Sequence, residues 1–169
     1  MMSQLQNYFL KANNMIGEKE KTVIYIGSDH AGFNEKRSLH AFLKENGFNV
    51  TDLGCFSEES CDYPDIAREV GEKVLEREGS YGVLICGTGE GMAMAANKLN
   101  GIRAALATSE ELAKMAREHN NANILTMGAR TTDISLMEKI SMKFLTTDFD
   151  GGERHARRVE KIDKVTDPR

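Results

Sequence analysis

The sequence predicts an α/β fold, a three-layer domain in which a five-stranded parallel sheet carries helices on both faces. Three observations support this prediction. From residue 22 onward, short runs rich in β-branched residues alternate with longer segments of helical period, which is the pattern of βα units. The chain has 169 residues, 40% hydrophobic and 28% charged, as is typical of one globular domain with a buried core. Glycines and polar residues follow the strands directly, where a parallel sheet places its ligand-binding loops.

Five β-rich runs are the predicted strands, and helices fill the segments between them. The strands span residues 22–28, 48–54, 81–87, 101–107 and 122–128. The helices carry large apolar residues at core-facing spacing. These residues are Phe33, Leu39, Phe42 and Leu43 in the first helix, Ile66, Val70 and Val74 in the second, and Met137, Ile140 and Phe144 in the fifth. Pro64 marks the first turn of the second helix, and Thr108 to Glu111 form a candidate capping box for another.

The two ends of the chain depart from this pattern. Residues 1–20 contain few large apolar side chains and no repeat, so we interpret them as an N-terminal extension or a cloning remnant, and residues 21–169 as a single domain. After Asp148 a pair of glycines and a charged helix follow without another strand, so this tail is expected to leave the sheet core. The chain has neither a signal-peptide pattern nor an apolar run near 18 residues, which predicts a cytoplasmic protein.

Charge and cysteine content exclude several classes of protein. The chain carries 22 Lys and Arg against 26 Asp and Glu, a net charge of −4, so we expect no broad contact with nucleic acid or with an anionic membrane. Any anionic ligand must therefore be bound by local groups. The three cysteines, Cys55, Cys61 and Cys86, are an odd number without a CxxC pair, which argues against a disulfide scaffold or a zinc ribbon. Each cysteine is interpreted separately.

Three loops are expected to meet at the carboxyl edge of the sheet, where helix N-termini attract anions. They are residues 28–32, 86–91 and 128–130. The middle loop is not a GxGxxG fingerprint, because Met92 stands at the third glycine position, and it lacks the Gly-Lys-Ser/Thr of a Walker A loop. What remains is a set of backbone N–H groups suited to an oxyanion or a phosphate, with the Cys86 thiol beside it. A cysteine at the end of a strand is more often an unreactive packing residue, but the adjacent glycine loop favours a catalytic role for Cys86.

The other polar candidates each have a structural and a functional interpretation. The pair Asp29 and His30 could cap a helix or act in the site. His119 lies near the C-terminal end of the fourth helix, away from the strand ends of its own chain, so only a neighbouring subunit could bring it to the site. Arg154 and Arg158 share one helix face, with His155 turned away from it. They form either a solvated charge run or, with Arg130, a grip for a phosphate dianion.

With these residues assembled, the sequence resembles the type B ribose-5-phosphate isomerases and the wider family that they form with the galactose-6-phosphate isomerase subunits. The motifs that carry the resemblance are GSDHAGF (27–33), DYPD (62–65), GVLICGTGEGMAMAANK (82–98), GIRAAL (101–106), EHNNAN (118–123), GAR (128–130) and RHARRVEKI (154–162). The resemblance implies a Rossmann-like fold and an aldose–ketose isomerase that interconverts ribose 5-phosphate and ribulose 5-phosphate through a cis-enediolate, in the non-oxidative pentose phosphate pathway. It implies no cofactor and no metal. It also implies a homodimer, or a dimer of dimers, with shared active sites and a C-terminal helix that extends to the partner subunit.

The resemblance also implies a role for each matching residue. Cys86 matches the base that moves a proton between C1 and C2, and Thr88 matches the hydroxyl that handles the oxygen-bound proton. The loop that holds the enediolate oxygen is matched by Gly87, Gly89 and Gly91, and the groups that open the furanose ring are matched by Asp29 and His119. The phosphate clamp is matched by His30, Arg130, Arg154 and Arg158. The pocket lining is matched by Tyr63 and Asn120. In the family, His119, Asn120 and Arg130 are expected from the partner subunit. Some members use a glutamate base; Met92 stands at that position here, and Glu90 is interpreted as a helix-start acid.

Three other functions remain open at this point. The substrate could be another sugar phosphate, namely galactose 6-phosphate, allose 6-phosphate or a tetrulose phosphate. The chain could instead be a non-catalytic sugar-phosphate or nucleotide sensor, although a sensor would not need Cys86, Thr88, Asp29 and His119 together. A Cys-His hydrolase would need an imidazole beside Cys86.

Overall fold

Five strands and six helices make up the part of the chain that the computed structural model describes, residues 22–165. In chain order they are β1 (Val23–Ser28), a 3-10 turn (His30–Gly32), α1 (Phe33–Glu45), β2 (Asn49–Asp52), α2 (Tyr63–Glu76), β3 (Tyr81–Cys86), α3 (Glu90–Ala96), β4 (Ala104–Leu106), α4 (Glu110–Asn120), β5 (Ile124–Gly128), α5 (Ile134–Leu145) and α6 (Glu153–Val165). The predicted extension, residues 1–20, lies outside the described residues.

All five strands form one parallel sheet in the order β2-β1-β3-β5-β4. β3 lies at the centre, where Ile85 pairs with Ser28 of β1 and with Met127 of β5. This register brings the ends of β1, β3 and β5 to one edge of the sheet, as the sequence predicts.

Two apolar clusters cover the two faces of the sheet, because side chains alternate along each strand. In β3, Val83 and Ile85 face one cluster, while Leu84 and Cys86 face the other. The first cluster packs α1, α4 and α5 against the sheet, and the second packs α2 and α3. The predicted three-layer α/β fold is confirmed.

The predicted helix stripes and turn signals are confirmed with two corrections. Leu39, Leu43, Val70, Val74, Met137, Ile140 and Phe144 are buried, and Pro64 lies in the first turn of α2. Phe42 and Ile66 are half-buried against the two clusters, whereas Phe33, half-buried at the start of α1, belongs to neither. The cap of α4 is Ser109, not Thr108: its extended backbone directs Oγ to accept a hydrogen bond from the Leu112 N–H at 3.3 Å. The sequence could not separate these adjacent hydroxyl residues, because either side chain can cap a helix.

The tail after Asp148 forms a helix, as predicted, and this helix lies beside α4. The N–H of Asp150 donates to the Glu118 carbonyl at 2.9 Å, and Arg103 pairs with Asp163 at 2.8 Å. These two contacts fix both ends of α6 to the region where α4 ends and β4 begins. No helix among residues 22–165 is both long and apolar enough to span a membrane.

The loop between β2 and α2 corrects the interpretation that each cysteine stands alone. Cys55 and Cys61 are joined by a disulfide, and Cys86 is a free, buried thiol. Two cysteines six residues apart meet only if the loop turns back on itself, which cysteine spacing alone does not reveal. The fully buried Lys36 holds the base of this loop, donating to Asp52 Oδ1 at 2.7 Å and to the Cys55 carbonyl at 2.6 Å.

Candidate active site

A cavity of about 360 Å³ opens at the carboxyl ends of β1 and β3. The helices that follow these two adjacent strands, α1 and α3, pack on opposite faces of the sheet, and the crevice between such strands is the usual ligand site of an open α/β fold. Eight of the thirteen predicted site residues line the cavity. They are Asp29, His30, Tyr63, Cys86, Gly87, Thr88, Gly91 and Arg130.

Asp29 is held rigidly at the end of β1. Its Oδ1 accepts hydrogen bonds from the N–H groups of Ala31 at 2.9 Å and Gly32 at 3.2 Å, and its own N–H donates to the Ile85 carbonyl at 3.1 Å. The side chain therefore caps the 3-10 turn, which is its structural role. Oδ2 makes no hydrogen bond to residues 22–165, so the second oxygen is left to face the cavity that Asp29 lines.

Cys86 ends the central strand with its thiol at the cavity wall. It is 5% exposed, and its Sγ accepts a hydrogen bond from the Gly89 N–H at 3.1 Å. This contact fixes the sulfur at the cavity wall, against the turn that begins α3. The Cys86 carbonyl accepts from the Ala129 N–H at 2.8 Å, which fixes the strand end to the loop after β5.

The glycine loop lets the chain turn tightly at the start of α3. Gly89 has a positive φ of 82° and packs against β5, and a Cβ there would lie 2.7 Å from the Met127 carbonyl carbon. At Gly91, a Cβ would lie 2.8 Å from Cζ of Tyr63, so the tyrosine ring rests directly on the loop and forms one wall of the cavity.

Two residues of α3 line the cavity in addition to the predicted ones. Glu90 and Met94 are one helical turn apart, and both border the cavity. The sequence analysis interpreted Glu90 as a helix-start acid and did not identify Met94, which is 67% exposed. The sequence feature that could have identified both residues is their i, i+4 spacing directly after the glycine loop, which places them on the same face of α3. Met92, at the glutamate position of the family's other members, is fully buried in the core.

Arg130 corrects the expected division between subunits. The family resemblance implied that it comes from the partner, but it lines the cavity formed by its own chain. Its N–H donates to the Gly87 carbonyl at 2.9 Å, and a Cβ built on Gly87 would lie 3.4 Å from the guanidinium carbon. The guanidinium thus lies over the glycine loop, because the turn after β5 folds back onto the end of β3.

The remaining predicted side chains form a second group, the far cluster, which we define as His119, Asn120, Arg154 and Arg158. His119 lies nine residues into α4, about 14 Å along the axis from the end of the helix nearest the cavity. Asn120 lines a separate groove between α4 and α6. Arg154 and Arg158 project from α6 and do not line the cavity of their own chain, which contains the other two members of the predicted phosphate clamp, His30 and Arg130.

Arg117 fixes the end of α4 that carries the first two members of the far cluster. It is 5% exposed and donates to the Ala122 carbonyl at 2.6 Å and to the Tyr81 hydroxyl at 3.0 Å. Its guanidinium carbon also lies 4.7 Å from the centre of the Tyr81 ring. Burial lowers the pKa of this guanidinium from its ordinary value. The sequence analysis did not identify Arg117, because an arginine near the polar end of a helix is usually a solvent-exposed charge.

Metal ligands do not gather in the described part of the chain. Among residues 22–165, no group of three or more His, Cys, Asp and Glu side chains is arranged to hold a metal ion.

Comparisons with known proteins identify the family and the fold of this chain. A family model described as Ribose/Galactose Isomerase matches residues 24–162. The chain is 46% identical over 141 residues to a probable ribose-5-phosphate isomerase B of Mycoplasma genitalium, covering 82% of this chain and 92% of that protein. It is 41% identical over 142 residues to the ribose-5-phosphate isomerase B of Escherichia coli, with coverages of 84% and 95%. The solved structure of ribose-5-phosphate isomerase B from Clostridium thermocellum superposes with a TM-score of 0.82 at 48% identity, covering 85% of this chain and 96% of that one.

Proposed function

Because the chain belongs to the ribose/galactose isomerase family and is an aldose–ketose isomerase, we propose that it interconverts ribose 5-phosphate and ribulose 5-phosphate with Cys86 as the base. One observation carries the proposal: the Cys86 thiol lies at the cavity wall with the Gly89 N–H directed at its sulfur. An isomerase that moves a proton next to a carbonyl needs such a base and a set of donors for the charge that develops on oxygen.

The proposed reaction begins with the open-chain aldose in the cavity. The Cys86 thiolate takes the proton from C2, and the electron pair of that C–H bond forms the C1–C2 double bond as the carbonyl electrons move onto O1. The resulting cis-enediolate collapses when the O2 proton is transferred to O1 and the thiol returns its proton to C1. The product is the ketose with its carbonyl at C2, and Cys86 is again a thiolate. Thr88 lies at the cavity beside Cys86, where its hydroxyl can carry the oxygen-bound proton.

Ring opening and charge stabilisation fall to the neighbouring groups. We expect the enediolate oxygen to bind the backbone N–H groups of the glycine loop other than that of Gly89, which is directed at Cys86 Sγ. The Arg130 guanidinium over the same loop adds positive charge near the cavity. Asp29 has one oxygen committed to the 3-10 turn, and the other is available to take a proton from the ring form of the sugar. His119 is the proposed partner of Asp29 in ring opening.

The far cluster is proposed to act on the cavity of a second copy of this chain. His119 and Asn120 lie at the end of α4 away from the cavity, and Arg154 and Arg158 lie on α6, so one chain holds two incomplete halves. Apolar side chains are exposed beside both halves, namely Met94 at the cavity and Ile162 on α6, 67% and 44% exposed. A homodimer that covers these side chains would bring His119 and Asn120 to the sugar and Arg154 and Arg158 to its phosphate.

A coupled spectrophotometric assay with ribose 5-phosphate tests the substrate assignment. Galactose 6-phosphate, allose 6-phosphate and a tetrulose phosphate run in parallel as competing substrates. We expect the highest kcat/KM for ribose 5-phosphate. A higher kcat/KM for another sugar phosphate would make that compound the substrate instead. If the protein binds these sugar phosphates but turns none of them over, the result would favour a sensor. Cys86→Ala should abolish turnover while phosphate-ligand affinity stays nearly unchanged, and turnover at the wild-type rate would refute the base assignment.

A complementation experiment tests the shared site. Cys86→Ala damages one half, and the double variant Arg154→Ala/Arg158→Ala damages the other. A mixed dimer of the two contains one site with both halves intact, so random pairing should restore about a quarter of wild-type activity from two inactive proteins. A mixture that stays inactive, although mass spectrometry shows mixed dimers, would mean that the halves do not come from different chains.

A further inference from the structure

His155 is a buried histidine in a helix of exposed charges, and no role in the reaction described above accounts for it. Its residue is 6% exposed, whereas Arg154 and Arg158 on the same helix are exposed. Its Nδ1 lies 3.1 Å from Asp150 Oδ2, and the Nε–H of Arg154 donates to its Nε2 at 3.1 Å. Its ring centre lies 4.5 Å from that of His119. One imidazole therefore touches two members of the far cluster.

The hydrogen bonds require one tautomer of His155. A guanidinium N–H can only donate, so Nε2 must be the acceptor, and a neutral imidazole then carries its proton on Nδ1. That proton is donated to the Asp150 carboxylate. Asp150 is itself fixed, because its N–H donates to the Glu118 carbonyl at the end of α4 at 2.9 Å. A chain of contacts thus runs from α4 through Asp150 and His155 to Arg154.

From this geometry we infer that His155, oriented by Asp150, is a positioning residue that holds Arg154 and His119 ready for a sugar phosphate. The inference rests on the proposed function of Arg154 as a phosphate ligand. Because Nε is occupied by His155, the guanidinium is fixed with Nη1 and Nη2 directed elsewhere, and neither makes a hydrogen bond to the residues described. These two groups form the edge that binds a phosphate through two parallel hydrogen bonds. A long side chain ordered before binding loses less rotamer freedom when the ligand arrives.

Two substitutions separate the contacts of His155. The amide of glutamine reaches the place of Nε2, so His155→Gln can still accept from Arg154. The amide of asparagine reaches only the place of Nδ1, so His155→Asn keeps the contact with Asp150 and loses the one with Arg154. Asp150→Ala removes the carboxylate that selects the tautomer, and because the Asp150 side chain is 55% exposed, this variant is expected to fold. Arg157→Gln, an exposed change on the same helix, is the matched control.

The experiment measures KM and kcat for ribose 5-phosphate together with the Kd of inorganic phosphate by calorimetry. His155→Asn and Asp150→Ala should raise KM and the phosphate Kd about three- to tenfold, the cost of ordering one long side chain, while His155→Gln and Arg157→Gln stay within about twofold of wild type. If His155→Asn and His155→Gln change KM and the phosphate Kd equally, or if Asp150→Ala leaves the phosphate Kd unchanged, the inference is overturned. If wild type does not turn over ribose 5-phosphate but the phosphate Kd follows this pattern, the proposed substrate fails and the positioning role stands.

Discussion

Gly89→Ala should reduce both stability and turnover, because Gly89 combines a left-handed backbone with a contact to the central sheet. Its φ is +82°, and a new Cβ would lie 2.7 Å from the Met127 carbonyl carbon, 2.9 Å from its oxygen and 2.7 Å from Leu106 Cδ1. The left-handed conformation costs a non-glycine residue about 1–2 kcal/mol, and overpacking typically costs about 1–3 kcal/mol more. We therefore expect the free energy of unfolding in urea to fall by about 2–5 kcal/mol.

The same substitution should slow catalysis, since relief of the clash moves the Gly89 N–H away from Cys86 Sγ. A displacement of about 1 Å at a reacting group can lower the rate about 10²-fold, and we expect a fall in kcat of that order when Cys86 Sγ loses the contact that holds it in place. Gly79→Ala is the matched control: its φ is +77° and a Cβ there meets nothing within 4 Å, so it isolates the backbone cost of about 1–2 kcal/mol. If the two variants lose equal stability and Gly89→Ala keeps wild-type kcat, the reasoning about this contact is wrong.

Three further predictions concern charged side chains. Lys36→Met keeps the length of a fully buried side chain but removes the ammonium that donates to Asp52 and to the Cys55 carbonyl, so that Asp52 retains only the Gly54 N–H. The free energy of unfolding in urea should fall by about 2–4 kcal/mol, and adding Asp52→Asn should recover part of this loss. An unchanged free energy of unfolding in the single variant would contradict the burial argument. Arg117→Met should cost about 3 kcal/mol by removing charged hydrogen bonds at the end of α4, and a loss below about 1 kcal/mol would show that these bonds contribute little. The hydrogen bond and charge of Lys164 lower the pKa of Glu160 in the folded protein. This exposed pair therefore stabilises the fold at a pH above the pKa that Glu160 has in the unfolded chain. The stabilisation is lost as the pH falls through the pKa that Glu160 has in the folded protein. The urea midpoints of wild type and Glu160→Gln should therefore converge between pH 7 and pH 3, and divergence would reverse the assigned sign.

The sheet and the cavity loops could be predicted from the sequence because both depend on local patterns. Alternating apolar runs place strands, and a glycine loop after the central strand places Cys86 at the carboxyl edge whatever the exact strand bounds. The subunit that supplies Arg130 could not be predicted, because it depends on how sharply the chain turns after β5. The burial of His155 could not be predicted either, because a histidine within a run of arginines is typical of a solvent-exposed helix face. Its burial depends on the packing of α6 against α4.

The pairing of Cys55 with Cys61 was missed for a related reason. Sequence spacing gives the length of a loop but not the direction in which its ends point, and Lys36, which holds the base of that loop, is distant in the chain. Contacts that join distant segments decided each of these features.

The distance between the cavity and the far cluster has a consequence for how the protein responds to dilution. If each complete site needs both copies, specific activity should decline once the protein concentration falls below the dissociation constant of the dimer, although every folded monomer keeps its Cys86. Substrate, by bridging the two halves, would then tighten the dimer by the same factor with which dimerisation improves substrate binding. Activity measured at low enzyme concentration would therefore depend on the order of mixing, with a lag when diluted enzyme is added last and none when it is first incubated with sugar phosphate.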